Sequence, residues 1–426
     1  MRVASIAFLL SIAVAVPVPA QTSSDLSRAT GQAGGVTAEA PADSAQTAMP
    51  EPGIIDRALT VANQWLVDSG APARSGFYAD FGNMITGAGW ISAGPGYRQF
   101  LFGDRAFVDA SAAISWRAYK MAQARFELPR LADDRLAVGS QVRWQDLTQV
   151  DYFGIGPDSP EGARSQYRLK STDVVGYAAY QANSWLSIGG IAGWLHQPTL
   201  SSPTGPFQGD WPDTLHAFPH DPGVASQPSF LHGSASIAAD TRDHPGHPTS
   251  GGLYRAAVTS YADRDTGRSS FQRYDVEGLQ IVPVRGASWL LAMHGWAAFS
   301  STSSGDEVPF YMLPTLGGEN TLRGYDNYRF HDRHMLVASA ESRWAIFRYV
   351  EAAAFFDAGN VAARPADLNL NKTSWGGGLR LHVRRSTLGR VDVGHSAEGW
   401  HVFFKLDDPF ALKRLSRRTA EVPFVP

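Results

Sequence analysis

Glu341 and Asp357 stand eight residues either side of Tyr349. Each lies in a run that alternates polar and apolar residues. Ser339, Glu341 and Arg343 share one face of the first run, against Ala340, Ser342 and Trp344. In the second run Glu351, Ala353, Phe355 and Asp357 share a face, and Val350, Ala352, Ala354 and Phe356 opposite are all apolar. A period of two is a strand period. A simple hairpin about Tyr349 puts the two carboxylates directly opposite, about 5 Å apart. Two facing carboxylates repel, and one takes up a proton unless a cation lies between them. The best candidate cation is Arg323, in Leu316-Gly317-Gly318-Glu319-Asn320-Thr321-Leu322-Arg323-Gly324-Tyr325. The glycines let that segment turn tightly and approach a wall. A guanidinium fork bridges two carboxylates better than an ammonium does. The chemistry expected is electrostatic tethering.

Other chemistry finds little support. His196, His216, His220, His232, His244 and His247 gather near connecting segments, but none follows a metal-binding spacing on a helix. No Gly-x-Ser-x-Gly elbow occurs. No enzymatic activity, metal or cofactor is expected. A formal net charge of −3 points to no nucleic-acid partner. With no cysteine, there is no disulfide and no thiolate chemistry.

The elements that position these residues follow from the rest of the chain. Arg2, the apolar run 3–16 and Val18-Pro19-Ala20 read as a secretory leader over residues 1–20. Residues 21–73 read as a flexible linker with one short amphipathic helix, at 54–67, carrying Ile55, Leu59, Ala62 and Leu66. Residues 74–410 read as an all-β, 16-stranded antiparallel transmembrane barrel. Strands are expected to start near positions 77, 90, 106, 121, 136, 167, 185, 230, 252, 271, 288, 332, 349, 375, 389 and 400. Long connections at 151–165, 197–229 and 302–327 follow odd strands, and short ones follow even strands. That sorting fits an outer-membrane barrel. Residues 411–426 read as a basic tail, with Lys413, Arg414, Arg417 and Arg418, expected to be a disordered end.

Several motifs now carry a resemblance. Gly317-Gly318-Glu319 followed by Leu322-Arg323-Gly324-Tyr325 resembles the lumen-loop motif of the assembly-factor superfamily, the BamA/TamA-like surface-antigen barrels. Phe356-Asp357-Ala358-Gly359-Asn360-Val361 resembles that family's Asp-x-Gly strand motif. Ser339-Ala340-Glu341 matches its strand-twelve carboxylate. Asp240-Thr241-Arg242-Asp243, with Pro248 and Gly251-Gly252, resembles its mid-barrel turn, and Tyr152-Phe153-Gly154-Ile155-Gly156-Pro157 a recurrent outer-loop phrase. The resemblance spans roughly residues 75–410. It implies a sixth outer loop folded into the lumen, anchored by Arg323 on Glu341 and Asp357. The stretch 21–70 is too short for one conventional periplasmic (POTRA) adaptor domain plus a linker, so none is expected.

The function implied is assistance with protein insertion or translocation at the bacterial outer membrane. The first strand, 77–83, would pair with the last, 400–410, at a seam that can open, with Phe77, Gly82, Phe404 and Phe410 along it. Gly82 and Asn83 make the first strand a weak partner. The expected partners are outer-membrane lipid, lipopolysaccharide and unfolded outer-membrane or secreted clients. A plugged pore or a lipid-handling barrel is the competing expectation.

Overall fold

The computed structural model describes residues 75–82, 87–89, 91–383, 386–410, 418–420 and 422–424. The expected leader, the linker with its helix, Asn83 and the tail residues Lys413, Arg414 and Arg417 lie outside the described residues. So does Arg384.

Sixteen strands make one antiparallel sheet in chain order. They are β1 (Gly76–Gly82), β2 (Ser92–Leu101), β3 (Ala106–Ser115), β4 (Lys120–Leu131), β5 (Leu136–Tyr152), β6 (Ser165–Gln181), β7 (Leu186–Ser201) and β8 (Phe230–Asp240). Then follow β9 (Gly251–Asp263), β10 (Phe271–Pro283), β11 (Trp289–Thr302), β14 (His334–Phe347), β15 (Val350–Ala362), β16 (Lys372–Val383), β17 (Ser386–Ser396) and β18 (Gly399–Lys405). Two short strands, β12 (Thr315–Leu316) and β13 (Phe330–His331), pair with each other inside the β11–β14 connection. Each of the sixteen strands of the large sheet begins within three residues of its expected start, and β12 and β13 had none.

The alternation has one sense throughout. Along β10 Phe271, Arg273, Asp275, Glu277, Leu279 and Ile281 are buried, while Gln272, Tyr274 and Val276 face out. The buried face carries charge, and the outer face carries large apolar side chains such as Val276, Phe356, Trp375 and Val402. A water-soluble sheet has the reverse arrangement.

Three expectations need correction. First, Glu341 and Asp357 are not directly opposite. The ladder pairs Ser339 with Asp357 and Glu341 with Phe355. It centres on Arg348 rather than Tyr349, because a bulge between Ala345 and Phe347 takes up an extra residue beside the turn. The two carboxylates still share the inner face, offset along the diagonal. Second, the connections after β5 and β7 are shorter than expected, because β5 and β6 run for 17 residues each and β7 for 16. A bidentate pair, Arg168 on Asp146 at 2.7 Å, holds the β5–β6 ladder in this outer stretch.

Third, the C-terminal end does not behave as a strand with a loose tail. β18 stops at Lys405, and no ladder between β1 and β18 is found among the described residues. Asp408 accepts a hydrogen bond from the Phe410 backbone N–H at 2.8 Å and turns the chain inward. Phe410 is thus buried at 3% exposure among Leu253, Leu279, Ile281, Leu290 and Ala292, instead of lying on the last strand. The described part of the tail follows it inside. Arg418 pairs with Glu127 at 3.1 Å and lies 4.1 Å over the Tyr177 ring. The Ala420 N–H donates to Asp173, and the Val422 carbonyl accepts from Gln145. The Phe424 N–H donates to the Tyr311 carbonyl at 3.1 Å, and the Arg273 guanidinium lies 3.7 Å over the Phe424 ring.

Since the chain has no native cysteine, Val422→Cys tests this placement. The thiol should resist a membrane-impermeant reagent in the folded protein and react on unfolding. Rapid labelling of the folded protein would reject the buried tail.

Candidate functional site

The β11–β14 connection folds against the inner face of the sheet. Gly317 and Gly318 adopt φ of 111° and 96°, which L side chains rarely reach. The turn they make brings Thr321 back, and its Oγ1 accepts from the Gly317 N–H at 3.0 Å. Arg323 is thereby delivered to the wall. Gly324 packs onto β17, where a methyl on Gly394 would overlap the Arg323 carbonyl. Tyr325 is buried with Leu316, Leu322 and Phe330.

Arg323 donates to Asp357 from Nε at 3.0 Å, from Nη2 at 2.8 Å and from its backbone N–H at 3.2 Å. Its Nη1 donates to Glu341 Oε2. Its guanidinium lies 3.6 Å over the Phe355 ring. Burial alone would lower the Arg323 pKa, but Asp357 and Glu341 outweigh it and raise it above the ordinary guanidinium value.

One cation between two carboxylates is, however, too small a picture. Arg343 donates to Glu341 Oε1 at 2.8 Å and to Asp408 at 2.7 Å. Arg380 donates to Glu341 Oε2 at 3.0 Å and also to Asp392. Arg390 donates to Asp392 and, at 3.0 Å, to the Glu319 carbonyl of the loop. Four arginines thus meet four carboxylates, Glu341, Asp357, Asp392 and Asp408, all buried. The cluster is charge-balanced, which a low-dielectric interior demands. Burial raises the Asp408 carboxyl, but Arg343 beside it brings the net value below the usual carboxylate range. Reading the sequence missed Arg380, Arg390, Asp392 and Asp408 as cluster members. For Arg390 and Asp392, two apart on one strand face, the alternation was available as a signal.

The other motif residues separate into three places. Glu319 lies 2.7 Å from Lys405 Nζ on β18, so the loop also touches the last strand. Gly359 faces the loop side chain of Leu316. The Gly156 N–H donates to the His331 carbonyl at 2.8 Å, which docks the outer-loop phrase on β13. Burial, and then Arg329, push His331 down to about 3, so it is neutral there. Arg329 adds a clamp to Glu398 at 2.8 Å, with no cue in the sequence. In the β8–β9 turn Arg242 holds Asp240 at 2.7 Å. Burial raises the Asp243 carboxyl, but hydrogen bonds from Thr249, Ser250 and His244 lower it overall. The seam residues do not converge: Phe77 is 85% exposed, Gly82 pairs with Ser92, Phe404 faces outward and Phe410 is inside. The six histidines do not cluster either. His232 pairs with Asp173 at 2.8 Å, while His216 and Asp213 meet on a surface turn.

Arg323→Ala would leave Asp357 buried with the Ser374 hydroxyl at 3.3 Å, while Glu341 keeps Arg343 and Arg380. Loss of one member of a buried pair costs about 3–5 kcal/mol. Limited proteolysis should then cut within 303–333, and Arg323→Ala with Asp357→Asn should be cut less readily than Arg323→Ala alone. Wild-type protease resistance of Arg323→Ala would contradict this account.

Residues 200–390 match the Omp85 superfamily domain. No curated protein matches the chain in sequence. Among solved structures, BamA from Haemophilus ducreyi lacking POTRA domains 1–3 is similar at a TM-score of 0.57 and 15% identity, over 78% of this chain and 69% of that one. CdiB from Escherichia coli is similar at a TM-score of 0.50 and 14% identity, over 77% of this chain and 61% of that one. The family match thus falls within a sixteen-stranded sheet whose fold is similar to that of the BamA structure.

Proposed function

We propose that the chain is a bacterial outer-membrane barrel that assists insertion or translocation of proteins. The sheet closes in lipid, with its apolar outer face toward the acyl chains and its charged face toward the lumen. The observation that carries the reading is the region beside β18. A cavity of about 290 Å³ lies there, lined by Val402, Phe404 and Lys405 of β18, by Gly87 and Gly89, by Trp116 and by Glu319 of the loop. A weakly joined first and last strand exposes backbone donors and acceptors that a client strand can add to. The Arg323 cluster holds the loop against the inner wall, and Glu319 on Lys405 links that loop to the seam. The work is physical templating without a catalytic step. Outer-membrane lipid, lipopolysaccharide and unfolded client chains are the partners this mechanism calls for.

The test is a locked seam. Cysteines placed at Ala79 in β1 and Val402 in β18, joined by a bifunctional thiol reagent, should abolish insertion of an outer-membrane client into proteoliposomes. Reduction of a cleavable linker should restore it. Full activity with the seam locked would overturn the proposal.

A plugged pore is the second reading, favoured by the segment 308–331 and residues 418–420 and 422–424 lying against the inner face. Under that reading, removing residues 411–426 should raise single-channel conductance in planar bilayers, and the seam lock should leave it unchanged. Conductance unaffected by the truncation would reject it.

A further inference from the structure

The β8–β9 turn does more than close a hairpin. Its Gly246 bridges to Ser386, and its carbonyl accepts from the Thr387 N–H at 3.1 Å, so the turn reaches the start of β17. This delivers His247 to the inner face beside Glu351 of β15 and His382 of β16. His247 Nε2 lies 3.3 Å from Glu351 Oε1, and His382 Nε2 lies 3.9 Å from the same oxygen. The two imidazoles stack at 4.3 Å and 8°. Ligand atoms of all three residues lie within 4.8 Å of one another. Glu351 and His247 are at least nine-tenths buried, and His382 is nearly so.

The hydrogen bonds around the cluster are arranged for a cation. His247 Nδ1 meets Thr387 Oγ1 at 3.1 Å, and that hydroxyl donates onward to Asp408 at 3.3 Å. The hydroxyl proton is therefore committed to Asp408, and Thr387 accepts from His247 Nδ1–H. The imidazole tautomer so fixed turns the Nε2 lone pair toward Glu351. Metal-bound histidines are oriented by a partner on the other nitrogen in this way. Glu351 Oε2 and both ring nitrogens of His382 are buried with no hydrogen-bond partner in the structure. Buried acceptors this close together and without donors favour a positive charge among them.

We propose that His247, Glu351 and His382 bind a divalent transition-metal ion of the zinc class, tying the β8–β9 turn to β15 and β16. Two imidazoles and one carboxylate are a known zinc donor set, with bonds of about 2.0–2.2 Å and one position left for water. Tetrahedral bonds of that length place donor atoms about 3.3 Å apart, close to the His247–Glu351 spacing, and the His382 ring, at 3.9 Å and stacked on His247, turns out of the stack to bind. The three residues come from separate elements, so no spacing along the chain announces them. The expectation of no metal rested on that spacing alone.

The full chain, folded in detergent micelles and stripped with a chelator, should be titrated with Co²⁺ and then Zn²⁺. One equivalent should bind, giving visible Co²⁺ bands of a four-coordinate site that Zn²⁺ displaces. Zn²⁺ should also raise the thermal midpoint. His382→Ala and Glu351→Gln should abolish the bands, and Thr387→Val should weaken binding about 10–100-fold. Heat-modifiable gel mobility checks that each variant is folded. Absence of saturable binding by the unmodified chain would overturn the proposal. So would bands that persist in folded His382→Ala and Glu351→Gln.

Discussion

The interior of this sheet depends on balanced charge. Arg323, Arg343, Arg380 and Arg390 meet Glu341, Asp357, Asp392 and Asp408 with almost no contact with solvent. Each ion would be costly there alone, and each carries a partner of opposite sign at hydrogen-bonding distance. The members come from the β11–β14 connection, from β14 through β17 and from the chain after β18. Electrostatics thus ties the loop and the chain after β18 onto four adjacent strands, β14 to β17, that backbone ladders already join. Directional guanidinium forks also fix where the loop sits, which an apolar contact would leave looser.

Around this cluster the packing is layered. Loop side chains Leu316, Leu322, Tyr325 and Phe330 meet the wall residues Trp296, Met335 and Val337 on one side. Phe310, Tyr311 and Met312 meet Tyr152, Tyr167 and Leu147 on the other. The loop therefore has its own apolar bed, and the ion pairs set its position on that bed. The assembly role we propose calls for a wall that gives way at one place while the rest holds. Tight loop anchoring at β15–β17 beside a cavity along β18 has that distribution.

Much of this was legible in the sequence. Alternation placed Glu341, Arg343, Glu351 and Asp357 on the inner face, because a strand offers only two faces. Turn punctuation placed the strand starts. The register of the β14–β15 hairpin was not legible, since the bulge beside Phe347 has no signature separate from the turn. The wider cluster was only half legible. Arg380 and Asp392 alternate correctly, but their pairing requires knowing that β16 and β17 lie beside Glu341. The tail's position left no local trace. Ala420 bonds Asp173 across 247 positions, and Val422 bonds Gln145 across 277. A basic, aperiodic segment looks the same whether water or protein surrounds it.

The inward run of the tail bears on how the interior is wetted. Phe424 lies against Trp296, with ring centroids 5.7 Å apart, and its N–H bonds the Tyr311 carbonyl. Contacts between segments so distant in sequence carry a large closure entropy and form after the sheet that receives them. Until they form, the chamber around Arg273 and Trp296 stays hydrated, and docking of this segment is the event that dries it.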